Sequence, residues 1–125
     1  MNKLSKNFNK SEFDCSCGCD MPLKVLHNVQ KLANQLQALR NVVGNPIKIN
    51  SGYRCSDYND NVVKGAKNSQ HKLGKAADIV IEEMTPQETF ELIDLLINEG
   101  ELLQGGLSAY PNFVHYDVRK TKSRW

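Results

Sequence analysis

Asp78 stands between two alanines, Ala76 and Ala77, and the β-branched run Ile79-Val80-Ile81. The run reads as a buried strand over 76–82. A carboxylate at the head of such a strand is costly unless a cation or hydrogen-bond donors meet it there. Whatever fold the chain adopts must therefore bring partners to Asp78 from elsewhere. With 125 residues the chain is long enough for one domain with its own core, and a single domain over 1–125 is expected.

Around this strand the pattern predicts alternating helices and strands. Val25, Leu26, Val29, Leu32, Ala33, Leu36 and Leu39 recur at helical spacing, from a start near Pro22 to a stop at Gly44-Asn45-Pro46. Ile47 to Asn50 alternates like a half-buried strand. A short helix is expected over 56–63, closed by Gly65, and a polar loop over 66–75. Thr85-Pro86-Gln87-Glu88 is a helix start with a capping box. Phe90, Ile93, Leu96 and Ile97 give that helix its buried stripe, and Gly100 ends it. Two strands, 106–110 and 113–118, then join at Pro111-Asn112. Residues 1–20 read as an irregular lead-in and 119–125 as a basic tail. The order of elements predicts an α+β fold: a small, mostly antiparallel sheet with flanking helices.

Two histidines are placed to serve Asp78. His71 lies in the loop before the strand, and Gly74 lets that loop fold back. His115 lies in the last expected strand, where alternation puts it on one face with Phe113 and Asp117. Two imidazoles and one carboxylate are a common zinc set in hydrolases, leaving a fourth position for water. Asp117 is placed either to orient a ligand or to handle protons. Each of these residues alone is weak evidence, and the constellation carries the reading. His27, on the first helix, belongs to no constellation.

Four cysteines are present: Cys15, Cys17, Cys19 and Cys55. Their close alternation, with one residue between neighbours, fits poorly with structural zinc sites, whose cysteine pairs usually have about two to four residues between them. Plain thiols, one disulfide to Cys55 and a second metal site all remain open. Hydrophobic content of 40% and charged content of 24% are ordinary for a globular chain. A net charge of +2 is too weak to argue for nucleic acid. No apolar run approaches the roughly 20 residues of a membrane span. The polar stretch 1–10 lacks an apolar signal core. Synthesis in the cytoplasm is expected, with release by a route other than a classical signal if the chain acts outside.

Together these segments resemble the zinc D-Ala-D-Ala carboxypeptidase family, especially its small single-domain members among phage endolysins and murein endopeptidases. The pattern S-x-H-x-x-G-x-A-x-D is met by Ser69, His71, Gly74, Ala76 and Asp78, and the later H-x-D by His115 and Asp117. Ser51-Gly52-Tyr53-Arg54, with Tyr58-Asn59 after it, matches a further family segment. Phe8 to Phe13 at the start, and Val118-Arg119 with Arg124-Trp125 at the end, are also similar. The resemblance implies one zinc held by His71, Asp78 and His115. It implies that Arg54 faces the substrate and steadies a developing oxyanion. Ser69 and Gln70 would shape the site. The implied substrate is a stem or crosslink peptide of bacterial peptidoglycan, cut by a monomer acting at the cell wall.

One position departs from the family pattern. Many members carry an acidic residue three positions before the last zinc histidine, as general base. Here that position is Asn112, which leaves Asp117 as the candidate base, or catalysis without a dedicated one. Two other readings follow. One is a zinc-containing module that binds peptidoglycan without cutting it. The other is a structural or redox domain built on the cysteines, which chelation would unfold. In the tail, Arg119, Lys120, Lys122 and Arg124 read as a solvated terminus or a contact for anionic wall polymer. Tyr110 and Trp125 would wall a groove.

Overall fold

The computed structural model describes residues 2–125, so Met1 lies outside it. In chain order the elements are β1 (Lys3–Ser5), β2 (Phe8–Asn9), α1 (Leu23–Val43), β3 (Ile47–Ser51), β4 (Ala76–Ile81), α2 (Pro86–Asn98), β5 (Gly106–Ala109), β6 (Val114–Asp117) and β7 (Ser123–Arg124). β1 and β2 form a small antiparallel pair. The main sheet has the order β3-β4-β6-β5-β7. All its neighbours are antiparallel except β5 and β7, which run parallel. The expected α+β fold with a mostly antiparallel sheet is what the chain forms.

Both helices pack on one face of this sheet. Val29, Leu32, Ala33, Leu36 and Leu39 of α1 are buried, as are Ile93, Leu96 and Ile97 of α2. They meet Ala77, Ile79 and Ile81 of β4 with Val114 and Tyr116 of β6 in one continuous cluster. Period-two alternation then turns Asp78 of β4 and His115 of β6 to the opposite face. The same alternation that builds the core thus presents the polar residues together. Pro22 precedes α1, and Gly44 ends it in the left-handed region at φ 73°. The capping box of α2 forms as expected: Glu88 N–H donates to Thr85 Oγ1 at 3.1 Å and Thr85 N–H to Glu88 Oε1 at 2.9 Å. No helix among the described residues is long and apolar enough to cross a membrane.

Four local expectations need correcting. The lead-in over 1–20 is not wholly irregular: β1, β2 and a 3-10 turn at Lys10–Phe13 lie within it. Phe8 and Phe13 fix it by entering the core. The short helix expected over 56–63 forms, but Tyr58–Val63 is wound as a π-helix, and the left-handed residue that ends it is Lys64 at φ 56° rather than Gly65. The loop over 66–75 contains a 3-10 turn, Gln70–Leu73, which Ser69 caps. The tail forms edge strand β7, held where Arg124 meets Asp94 at 2.9 Å and donates to the Gly105 carbonyl at 2.7 Å.

Candidate metal centre

Strand register sets the centre. Asp78 lies directly across from His115 in the antiparallel β4–β6 pair, so the two side chains are neighbours on one face. His71 arrives from the 3-10 turn. Ser69 accepts the His71 N–H at 3.2 Å and starts that turn. Gly74 ends it at φ 75°, with α1 so close that a Cβ would strike Val25. Only glycine suits that position. The result is a loop that doubles back and places the His71 ring over Asp78.

Second partners fix each ring. His71 Nδ1 lies 2.7 Å from the Gly52 carbonyl, which can only accept, so Nδ1 carries the proton. His115 Nε2 lies 2.7 Å from Asp117 Oδ2 and donates to it in the same way. In the neutral rings, His71 Nε2 and His115 Nδ1 therefore hold lone pairs. Both face one oxygen, Asp78 Oδ1, at 3.2 and 3.3 Å. Three acceptors converge on one point, and such a set requires positive charge. Without a metal, protons must supply it. Burial pushes the His115 pKa down, but hydrogen bonds and charge from Asp117 and Asp78 outweigh it and raise the pKa. Burial likewise works against an ionised Asp78, and hydrogen bonds from His115 and His71 hold its carboxyl well below the usual range. One donor atom from each of His71, Asp78 and His115 lies within 4.8 Å of the others, and all three residues are buried. Two oriented imidazole nitrogens and a carboxylate fit a zinc ion with a coordination position left open.

Asp117 is fully buried behind His115. Besides His115, its oxygens accept from Gly106 N–H at 2.8 Å, Arg119 N–H at 3.1 Å, Arg119 Nε at 2.9 Å and Arg119 Nη2 at 2.7 Å. Burial raises its pKa. The donors from His115, Arg119 and the two backbone amides more than compensate and hold it ionised well below the carboxylate range. Asp117 does not line the cleft in front of His71, Asp78 and His115. Asn112 is exposed on the β5–β6 turn and does not line it either.

Arg54 does line the cleft. Its guanidinium is gripped on three sides. Nη2 reaches Asp78 Oδ2 at 3.1 Å, Nε donates to Ser51 Oγ at 3.0 Å, and Nη1 donates to Asn59 Oδ1 at 3.1 Å. Asn59 is itself buried, and its amide donates to the Ala66 carbonyl at 3.0 Å. The structural use of Ser51 and Asn59 was not drawn from the sequence, although both lie in the segments noted around Arg54. The same holds for Arg119, read only as part of a basic tail. No local pattern announces a residue whose task is to hold another.

In front of these groups lies a cleft of about 450 Å³, with Ser69 and Gln70 in its lining. Its aromatic side is Tyr110, Phe113 and Trp125. Tyr110 and Phe113 stack at 4.7 Å, and Trp125 Nε1 donates to Tyr110 Oη at 2.8 Å. Arg119 lies over the Trp125 ring at 5.3 Å. The groove expected at Tyr110 and Trp125 thus opens onto His71, Asp78 and His115.

The family model described as Peptidase M15 matches residues 3–117. No curated protein matches the chain. The matched span includes His71, Asp78 and His115, and the zinc that this family uses agrees with the donor set described above. The chain belongs to the Peptidase M15 family of zinc D-Ala-D-Ala carboxypeptidase type.

Proposed function

We propose that this chain hydrolyses an amide bond in the stem or crosslink peptides of bacterial peptidoglycan, with zinc held by His71, Asp78 and His115. The convergence of two oriented imidazole lone pairs on Asp78 Oδ1 carries the reading. When bound, zinc polarises a carbonyl and lowers the pKa of water. The protein residues do the rest. Gly52 and Asp117 keep each imidazole in the tautomer that ligates. Arg54, fixed by Ser51, Asn59 and Asp78, holds its charge at the cleft, where it steadies negative charge growing on the carbonyl oxygen. Two arginines line the cleft, Arg54 and Arg119, which suits a peptide bearing carboxylates. The aromatic side formed by Tyr110, Phe113 and Trp125 offers apolar surface to the peptide backbone and methyl groups. The site of action is the cell wall, and one copy of the chain contains every residue named.

A second reading has its own observation. Among the described residues Asp78 is the only one with a side-chain carboxylate lining the cleft, and Asp117 is enclosed by donors. A domain of this kind that binds peptidoglycan without cutting it would also lack a free base. Incubating the zinc-loaded chain with purified peptidoglycan separates the two. Hydrolysis releases new amines, and mass spectrometry of the fragments names the bond. Retention on the polymer with no new amines, across several wall chemotypes, favours the binding module.

A further inference from the structure

Away from the His71 site, the four cysteines converge. Cys15, Cys17 and Cys19 come from the segment before α1, and Cys55 follows Arg54. All four are free thiols, and their sulfurs lie within 4.8 Å of one another. Cys15 Sγ is 3.3 Å from Cys17 Sγ and 3.8 Å from Cys55 Sγ, and Cys17 Sγ is 3.6 Å from Cys55 Sγ. A tetrahedron of thiolates at the usual zinc–sulfur length of about 2.3 Å has edges of roughly 3.8 Å. The three spacings among Cys15, Cys17 and Cys55 lie within about 0.5 Å of that edge, and Cys19 Sγ lies within 4.8 Å of the other three.

Backbone geometry builds the cluster. Gly18 adopts φ 84° and donates its N–H to the Cys15 carbonyl at 3.0 Å. This turn folds Cys19 back toward Cys15, which is how a spacing ill-suited to an open knuckle still gathers three sulfurs. The Cys55 N–H points to Cys15 Sγ at 3.5 Å and the Tyr58 N–H to Cys55 Sγ at 3.4 Å. Amide donors aimed at sulfur favour the thiolate and commonly surround thiolate-bound metals. Meanwhile residues 14–22 join no strand or helix. Something other than a backbone ladder must fix them against the Arg54 segment.

We propose that Cys15, Cys17, Cys19 and Cys55 bind a second zinc ion, a closed structural site that clamps the lead-in onto the turn carrying Arg54. Zinc replaces up to four thiol protons, which pass to solvent. Four sulfur ligands leave no open position, so the site is structural and not hydrolytic. Its effect on the cleft runs through the chain: Cys55 adjoins Arg54, and its carbonyl accepts the N–H of Asn59 at 2.9 Å. Asn59 in turn holds the Arg54 guanidinium.

The test is the zinc content of the full chain, purified under reducing conditions and desalted. Two equivalents are expected in wild type, one in His71→Ala and one in Cys17→Ser. A thiol-specific mercurial added to His71→Ala should release its remaining zinc in step with thiol modification, read with a metallochromic dye. Cobalt-loaded wild type should show thiolate-to-cobalt charge-transfer absorption, which needs no variant to fold. The proposal is overturned if His71→Ala holds no zinc and its four thiols titrate freely. It is equally overturned if the intact mass shows a disulfide, or if the sulfurs hold iron instead.

Discussion

His115 and Asp117, two residues apart on β6, lock together on the side of the ring away from Asp78: Nε2 of the ring lies 2.7 Å from Oδ2 of the carboxylate. The contact fixes which nitrogen carries the proton and leaves Nδ1 toward Asp78. Asp117→Asn keeps the shape and removes the charge that orders the ring. Zinc affinity at the His71 site should fall about 10- to 100-fold, measured by competition with a chromophoric chelator. Unchanged affinity would mean that the orientation of His115 does not depend on that charge.

Arg54 has three protein partners, and a planar fork reaches all of them. Lysine can meet one at a time. Arg54→Ala should lower kcat/KM on peptidoglycan fragments by roughly 100- to 1,000-fold with zinc still bound. Arg54→Lys should recover only part of it. Full activity in the lysine variant would show that charge suffices and that the fork is dispensable.

Gly74 carries φ 75°, and Val25 of α1 leaves no room for a Cβ. Gly74→Ala combines backbone strain with a clash, and a loss of about 1–3 kcal/mol is expected in urea unfolding. The same change should weaken zinc binding, because the turn ended by Gly74 carries His71. An unaltered midpoint would contradict the close packing of this turn on α1.

Thr85→Ala provides the contrast. It removes the cap from α2 on the far face of the sheet and should cost about 1 kcal/mol. Zinc stoichiometry and turnover should be those of wild type when assayed well below the melting temperature.

Much of this was legible in the sequence because its signals are local. The capping box at Thr85, the stripe on α1 and the alternation of β4 and β6 each depend on neighbours in sequence. His71, Asp78 and His115 read as one set from a loop before β4 and the alternation of β6, the likeness to a known family supported it, and register shows why two of them meet: Asp78 pairs with His115. What stayed hidden depends on distant contacts. β1 and β2 are too short to show a period, and they exist because Phe8 and Phe13 enter the core. β7 is a two-residue strand set by Arg124 reaching Asp94. The enclosure of Asp117 by Arg119 and Gly106 cannot be read from alternation, which gives a face but not what lies on it. Likewise, the cysteine spacing gave three open readings until the turn at Gly18 brought the sulfurs together.

An anomalous difference map at the zinc absorption edge, from crystals of the zinc-loaded chain, tests the ligand set most directly. A peak is expected between His71 Nε2, Asp78 Oδ1 and His115 Nδ1. No peak there, with zinc confined to the cysteines or absent, would contradict the assignment of this face as the hydrolytic centre.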